Sequence, residues 1–175
     1  IIKMINVHNE RIVVEEKGIY SIENFLSARR LMYWQVYLHK TSVSAEEMLI
    51  QLINRARFLT QNGVKVEATP ALAFFLEQDI NKQNILEDND ILDLFALLDD
   101  NDIWGSMKYW REHDDIVLSL LSKMLLDRRM LKIKLGNAKI GSELYEKVLM
   151  ATSKYLKVSL EEAEYLTGKG QISNS

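Results

Sequence analysis

One proline, Pro70, and seven glycines are the only strong chain breakers in 175 residues, so long helices are the expectation over most of the chain. An apolar fraction of 47% and a charged fraction of 27% are those of a globular chain and exclude a disordered or fibrous one. The length suits one domain, or one large domain with a small appendage. No apolar run approaches the roughly 18 residues needed to cross a bilayer. The absence of cysteine removes disulfides, thiol catalysis and the common zinc sites, and fits a cytoplasmic protein. The chain opens on Ile1-Ile2-Lys3, without an initiator Met or a leader, and so reads as a piece of something longer.

Periodicity divides the chain. Residues 3–7 and 11–15 are short β-branched segments around His8-Asn9-Glu10, which predict a hairpin or two extended edges. From Ser21 the period changes to three- and four-residue steps through Ile22, Phe25, Leu26, Arg29, Tyr33, Val36 and Tyr37, a long helix. Ser44-Ala45-Glu46-Glu47 has the form of a capping box opening a second helix, which Asn62-Gly63 ends. Thr69-Pro70 predicts a helix over 71–79. Asp/Asn clusters at 88–90, 99–102 and 114–115 predict capped helices near 91–98, 102–111 and 115–127. Residues 130–135 read as one strand, Ser142 opens a helix to about Lys154, and Ser159-Leu160-Glu161-Glu162 is another capping box. The expected fold is mainly α, with a short N-terminal β-hairpin and one minor later strand.

Charge is laid down in blocks under a net value of −3. Residues 77–115 carry 12 acids against 3 bases, and residues 122–157 carry 9 bases against 3 acids. The acidic block is largely accounted for by helix caps at the positive ends of helix dipoles. A pI near 5.7 gives no strong nucleic-acid signal, because such binders usually present an overall basic face.

Chemistry is sparse. Histidine occurs only at 8, 39 and 113, and no paired-histidine metal motif, phosphate-cradling glycine loop or nucleophile elbow is present. His113-Asp114 could belong to a metal dyad, but a dyad alone cannot complete a coordination sphere. Its place just before an apolar run makes capping by Asp114 or Asp115 the better reading. The most informative constellation is Arg29-x3-Tyr33-x3-Tyr37-x-His39-Lys40. Steps of four put Arg29, Tyr33 and Tyr37 on one stripe that drifts by about 40° per step. An arginine fork suits phosphate oxygens, tyrosines give flat walls with a hydroxyl tip, and His39-Lys40 add cationic donors at the helix end. The same spacing also fits an amphipathic core helix whose aromatic side is buried and whose arginine pairs with an acid.

Residues 14–41, VEEKGIYSIENFLSARRLMYWQVYLHKT, resemble the HD-domain phosphohydrolases of the deoxynucleotide triphosphohydrolase type, the sterile-alpha-motif-and-HD-domain dNTPases and their bacterial relatives. Their long helix carries Arg-x3-His-x3-Tyr-x-His-Lys. Arg29, Tyr37, His39 and Lys40 match it, and Tyr33 stands where better-known members have His. LDDNDIW at 98–104 and LDRRMLKIKL at 126–135 are similar to segments that follow in bacterial members. The resemblance covers most of residues 1–135, followed by a further helical segment at 136–167 and a tail at 168–175.

The resemblance implies a longer protein that hydrolyses dNTPs to deoxynucleoside and triphosphate with a divalent metal such as Mg or Mn. Arg29 would then contact the substrate phosphates and Tyr37 the deoxyribose. Tyr33 would occupy a catalytic place near the scissile phosphate. Lys3, Lys17, His39 and Lys40 would fall at or near regulatory nucleotide sites at contacts within a homo-oligomer. The family's metal ligands lie N-terminal to the matching segment, so this chain is expected to hold no metal and to be inactive alone. The alternative is a non-catalytic nucleotide-sensing or helical assembly module.

Overall fold

The computed structural model describes residues 2–134, 136 and 140–170. The chain forms two compact units, residues 1–43 and residues 44–175.

The first unit begins with a 3-10 turn over Ile2–Met4 and an antiparallel hairpin of β1 (Ile5–His8) and β2 (Arg11–Val14). Ile5 pairs with Val14 and His8 with Arg11, leaving Asn9 and Glu10 as a two-residue turn. Both have positive φ, 48° and 60°, as the tight turn that matches strand twist requires. The Glu15 amide donates to the Met4 carbonyl and closes the hairpin onto the turn Glu16–Gly18. Gly18 is the one buried residue described in this unit. A Cβ there would stand 3.0 Å from both Met4 Sδ and Val14 Cγ1, so the close approach of the hairpin needs glycine.

Helix α1 (Ile19–Met32) follows, two residues earlier than its apolar period predicts. It runs into a widened helical turn over Tyr33–Tyr37. The Leu38 amide there donates to the Tyr33 carbonyl five residues back, at 2.9 Å. One residue more than an α-turn holds is thereby accommodated. Helix α2 then spans Lys40–Gln61. Its start corrects the expectation of a capping box at Ser44. The Ser44 side chain is instead buried, and its hydroxyl donates to the Leu131 carbonyl at 2.7 Å. Ser44 cannot cap because the backbone is already helical from Lys40 onward, whereas a cap residue stands outside the helix. The far end behaves as expected: Gly63 takes φ 77°, its amide donates to Thr60, and the Val64 amide donates to Leu59, a Schellman closure.

The second unit is a helical cluster of the rest of α2 with α3 (Pro70–Glu77), α4 (Lys82–Glu87), α5 (Asn89–Leu97), α6 (Asp100–Trp110), α7 (Ile116–Leu126), α8 (Ser142–Leu156) and α9 (Leu160–Glu164). Pro70 sits at the first helical position, as the sequence predicts. Asp88, Asp99 and Asp115 each accept amide bonds from the turn they open, so the acidic block acts as caps. Helix α4 was not foreseen; Asn81 and Asn84 cap it reciprocally. Ser159 and Glu162 close the expected capping box of α9.

The later strand expected at 130–135 does not form. Residues 130–134 lie outside any helix or strand, and Leu135 falls outside the described residues. Leu131 instead packs on α2, where its amide meets Met48 Sδ and its carbonyl meets Ser44. A strand needs a neighbouring ladder, and the partner offered here is a helix. The tail expected over 168–175 is described only to residue 170.

The core joins Met48, Leu52, Ala56 and Leu59 of α2 to Leu72 and Leu76 of α3, Met107 and Trp110 of α6, and Val117, Leu118, Leu121 and Leu125 of α7. Trp110 is 1% exposed, and its indole N–H donates to the Glu67 carbonyl at 2.6 Å, so the largest core side chain buries no unpaired polar atom.

Candidate functional site

In the first unit, α1 and the widened turn carry an open cleft of about 420 Å³ lined by Phe25, Ala28, Arg29, Met32, Tyr33 and Tyr37. The structure therefore brings together three of the residues singled out from sequence: Arg29, Tyr33 and Tyr37. The Tyr33 and Tyr37 rings lie 5.2 Å apart and tilted by 51°, an aromatic contact in the favoured distance range. Both rings are about half exposed, at 47% and 55%. Among the described residues no carboxylate forms an ion pair with Arg29. In this chain the aromatic side faces an open cleft, and among the described residues the guanidinium fork has no carboxylate partner.

Phe25, Ala28 and Met32 complete the lining and were not singled out as site residues. Their signal was in the sequence, since they lie three or four positions from Arg29 or from one another on the same helix.

The remaining candidates do not line this cleft. Lys3 is exposed in the turn before β1. Lys17 is exposed and pairs with Glu15 at 2.6 Å. His39 immediately precedes α2, and its Nδ1 accepts from the Thr41 amide at 3.3 Å. His39 and Lys40 therefore stand at the beginning of α2, where the dipole disfavours cations, which corrects the expectation of a favourable helix C-terminus.

The second unit holds a different polar centre. Arg55 projects from the apolar face of α2 with its side chain 8% exposed. Its Nε and Nη2 reach both oxygens of Asp115 at 3.1 and 2.6 Å, and Nη2 also meets Glu162 of α9 at 3.1 Å. The guanidinium lies 5.3 Å from the Phe58 ring centroid and 5.2 Å from that of Tyr165. Asp115 also accepts from the Leu118 amide at 2.8 Å, capping α7. Burial pushes the Asp115 carboxyl up. Hydrogen bonds from Arg55 and Leu118, with the charge of Arg55, overcome that and hold it below the ordinary carboxylate range.

His113, beside it, is fixed by structure alone. Its Nδ1 accepts from the Asp115 amide at 2.9 Å, and Nε2 meets the Lys65 carbonyl at 3.1 Å, which assigns the proton to Nε2. The capping reading of the His113-Asp114-Asp115 link holds, with Asp115 as the cap. Among the described residues no three His, Asp or Glu side chains converge as a metal set. The described residues do not fit a divalent metal.

Residues 1–72 match a family described as the HD associated region. The chain is 27% identical over 130 residues to the uncharacterised protein YwfO of Bacillus subtilis, covering 74% of this chain and 28% of that protein. It is also similar to the crystal structure of a phosphohydrolase from Bacteroides thetaiotaomicron. There the TM-score is 0.87 at 49% identity, over 94% of this chain and 41% of the other. The chain thus spans less than half the length of these relatives. The matched region and the fold together relate it to the HD-type phosphohydrolases.

Proposed function

We propose that this chain is the part of an HD-type phosphohydrolase that supplies one wall of a nucleotide cleft. The observation that carries the reading is the cleft of the first unit, whose lining holds a guanidinium without a carboxylate partner among the described residues and two phenol rings. Arg29 suits the oxygens of a dNTP triphosphate, and Tyr37 offers a flat face to the deoxyribose. Tyr33, between them, stands nearest the place where the phosphate chain would be cut. Lys3, Lys17, His39 and Lys40 lie off the cleft and suit a second, regulatory nucleotide at contacts between copies of the protein. The divalent metal would be held by residues of a longer protein, whose remainder would complete the cleft.

The test is release of inorganic triphosphate from a dNTP panel with Mg²⁺ or Mn²⁺, for the longer protein and for this chain side by side. The longer protein should release triphosphate and this chain should not. In the longer protein Arg29→Ala should lower kcat/KM by roughly 10- to 100-fold, the worth of a hydrogen bond to a charged group. The melting curve should be almost unmoved, because Arg29 is exposed. Triphosphate release by this chain alone would overturn the division of labour. A folded longer protein that releases none would favour a nucleotide-sensing or assembly module.

A further inference from the structure

The last two helices are tied to each other by several bonds and to the rest of the second unit by few. The chain turns between them at Lys157, whose φ of 57° ends α8. The Val158 amide donates to the Ser153 carbonyl at 3.1 Å, and the Ser153 hydroxyl donates to the Val158 carbonyl at 2.6 Å. The reciprocal cap of Ser159 and Glu162 then opens α9. Beyond α9, the Lys169 ammonium lies 4.8 Å from the Tyr145 ring centroid, so the chain closes back onto α8. Residues 142–169 thus form one arm with its own internal bonds. Its attachment is sparse by comparison. No residue of α8 is buried. Past the turn, Val158, Ala163 and Leu166 are buried, and Leu156 and Tyr165 pack against the core that Leu166 joins. Among the described residues one ion pair joins the arm to the remainder, Glu162 to Arg55 at 3.1 Å.

We propose that α8 and α9 form a strap that opens as one unit from the Arg55 face of α2, with the Glu162–Arg55 pair as its latch. Three features support it. The chain reaches the arm from α7 through residues 127–141, whose described members lie outside any helix or strand and are tethered to α2 at Leu131. Few apolar side chains must leave the core, and segments with few buried apolar contacts open at lower free energy than the core itself. Arg55, finally, keeps a partner when the arm leaves. Asp115 of α7 holds the guanidinium at both carboxylate oxygens, 3.1 and 2.6 Å, independently of Glu162. Glu162 is already 29% exposed and returns to water. Opening the strap therefore strands no buried charge, whereas loss of Asp115 would.

Native-state hydrogen exchange of this chain, read by mass spectrometry, tests the strap. In the wild type the amides of α8 and α9 should exchange together, roughly tenfold or more faster than those of α2 and α7 once intrinsic rates are allowed for. Glu162→Gln removes the latch charge but keeps an acceptor for the Ser159 amide, since glutamine also completes a capping box. It should speed exchange across both α8 and α9 by about tenfold, the worth of a hydrogen bond to a charged group, and leave α2 and α7 unmoved. Asp115→Asn should instead speed exchange in α2 and α7, because it unpairs Arg55 inside the core. The proposal is overturned if α8 and α9 exchange no faster than α7 in the wild type, which needs no variant to fold. It is equally overturned if Glu162→Gln changes nothing, speeds α9 without α8, or speeds α2 and α7 as much as the arm.

Discussion

Arg55 is the residue whose environment most sharply separates structure from composition. A guanidinium among Leu52, Ala56 and Leu59 is tolerable only because Asp115 takes it bidentately and Glu162 and two rings complete the shell. Removing one partner would leave the other charge buried. Asp115→Asn should therefore cost about 3–5 kcal/mol of folding stability, read from urea denaturation. A loss under 1 kcal/mol would show the pair to be dispensable. Because the Asp115 carboxyl is held below its unfolded value, its contribution is full above the ordinary carboxylate pKa near 3.9 and disappears as the pH falls through the folded value. Stability measured against pH should thus fall on the acid side, and part of that fall should be missing in Asp115→Asn. An acid limb of equal depth in both proteins would assign it to other carboxylates. None of this centre was legible beforehand except the cap. Arg55 sits on an apolar stripe and Glu162 is 107 residues away, and no local spacing joins them.

At the scale of elements, caps and stop signals carried most of the information. Ser159 accepts from the Glu162 amide at 3.1 Å, and the Glu162 carboxylate accepts from the Ser159 amide at 2.9 Å. The same Glu162 reaches Arg55 with its other oxygen, so the cap also places α9 against α2. Ser159→Ala should cost about 1 kcal/mol, the usual worth of an N-cap. A shift in the denaturation midpoint equivalent to more than 2 kcal/mol would mean that the cap governs the docking of α9 as well. The elements that departed from expectation each have their own cause. Ser44 has a perfect capping sequence yet lies in the first turns of a helix already begun at Lys40, and its hydroxyl donates to the distant Leu131 carbonyl. Residues 130–134 have strand composition and no strand to pair with. The widened turn at Tyr33–Tyr37 left no trace in periodicity, since one inserted residue shifts the phase without changing residue types.

For the whole molecule, the contrast between the two units matters most. The core lies in residues 44–175, whereas in residues 1–43 only Gly18 is buried among the described residues. Tyr20, Phe25, Met32 and Trp34 are 79%, 49%, 50% and 55% exposed. Large apolar side chains exposed together favour association. The chain should accordingly associate with itself in solution, its sedimentation coefficient rising with concentration. A clean monomer at every concentration would contradict this, and charged substitutions at Phe25 and Trp34 should lower the association without unfolding the second unit. No helix among the described residues is long and apolar enough to cross a membrane.

The sequence by itself determined the helical class, the hairpin, the acidic caps and the stripe of Arg29 and Tyr33, because each is set by spacing of a few residues and by local hydrogen bonds. Tertiary structure alone decided what surrounds Arg55 and Ser44 and where residues 130–134 pack, because those outcomes turn on groups far apart in the chain. The cleft lies between the two: its face is written in the three- and four-residue steps from Phe25 to Tyr33. Tyr37 joins it across a turn that one backbone bond from Leu38 to Tyr33 widens, which the order of residues does not announce.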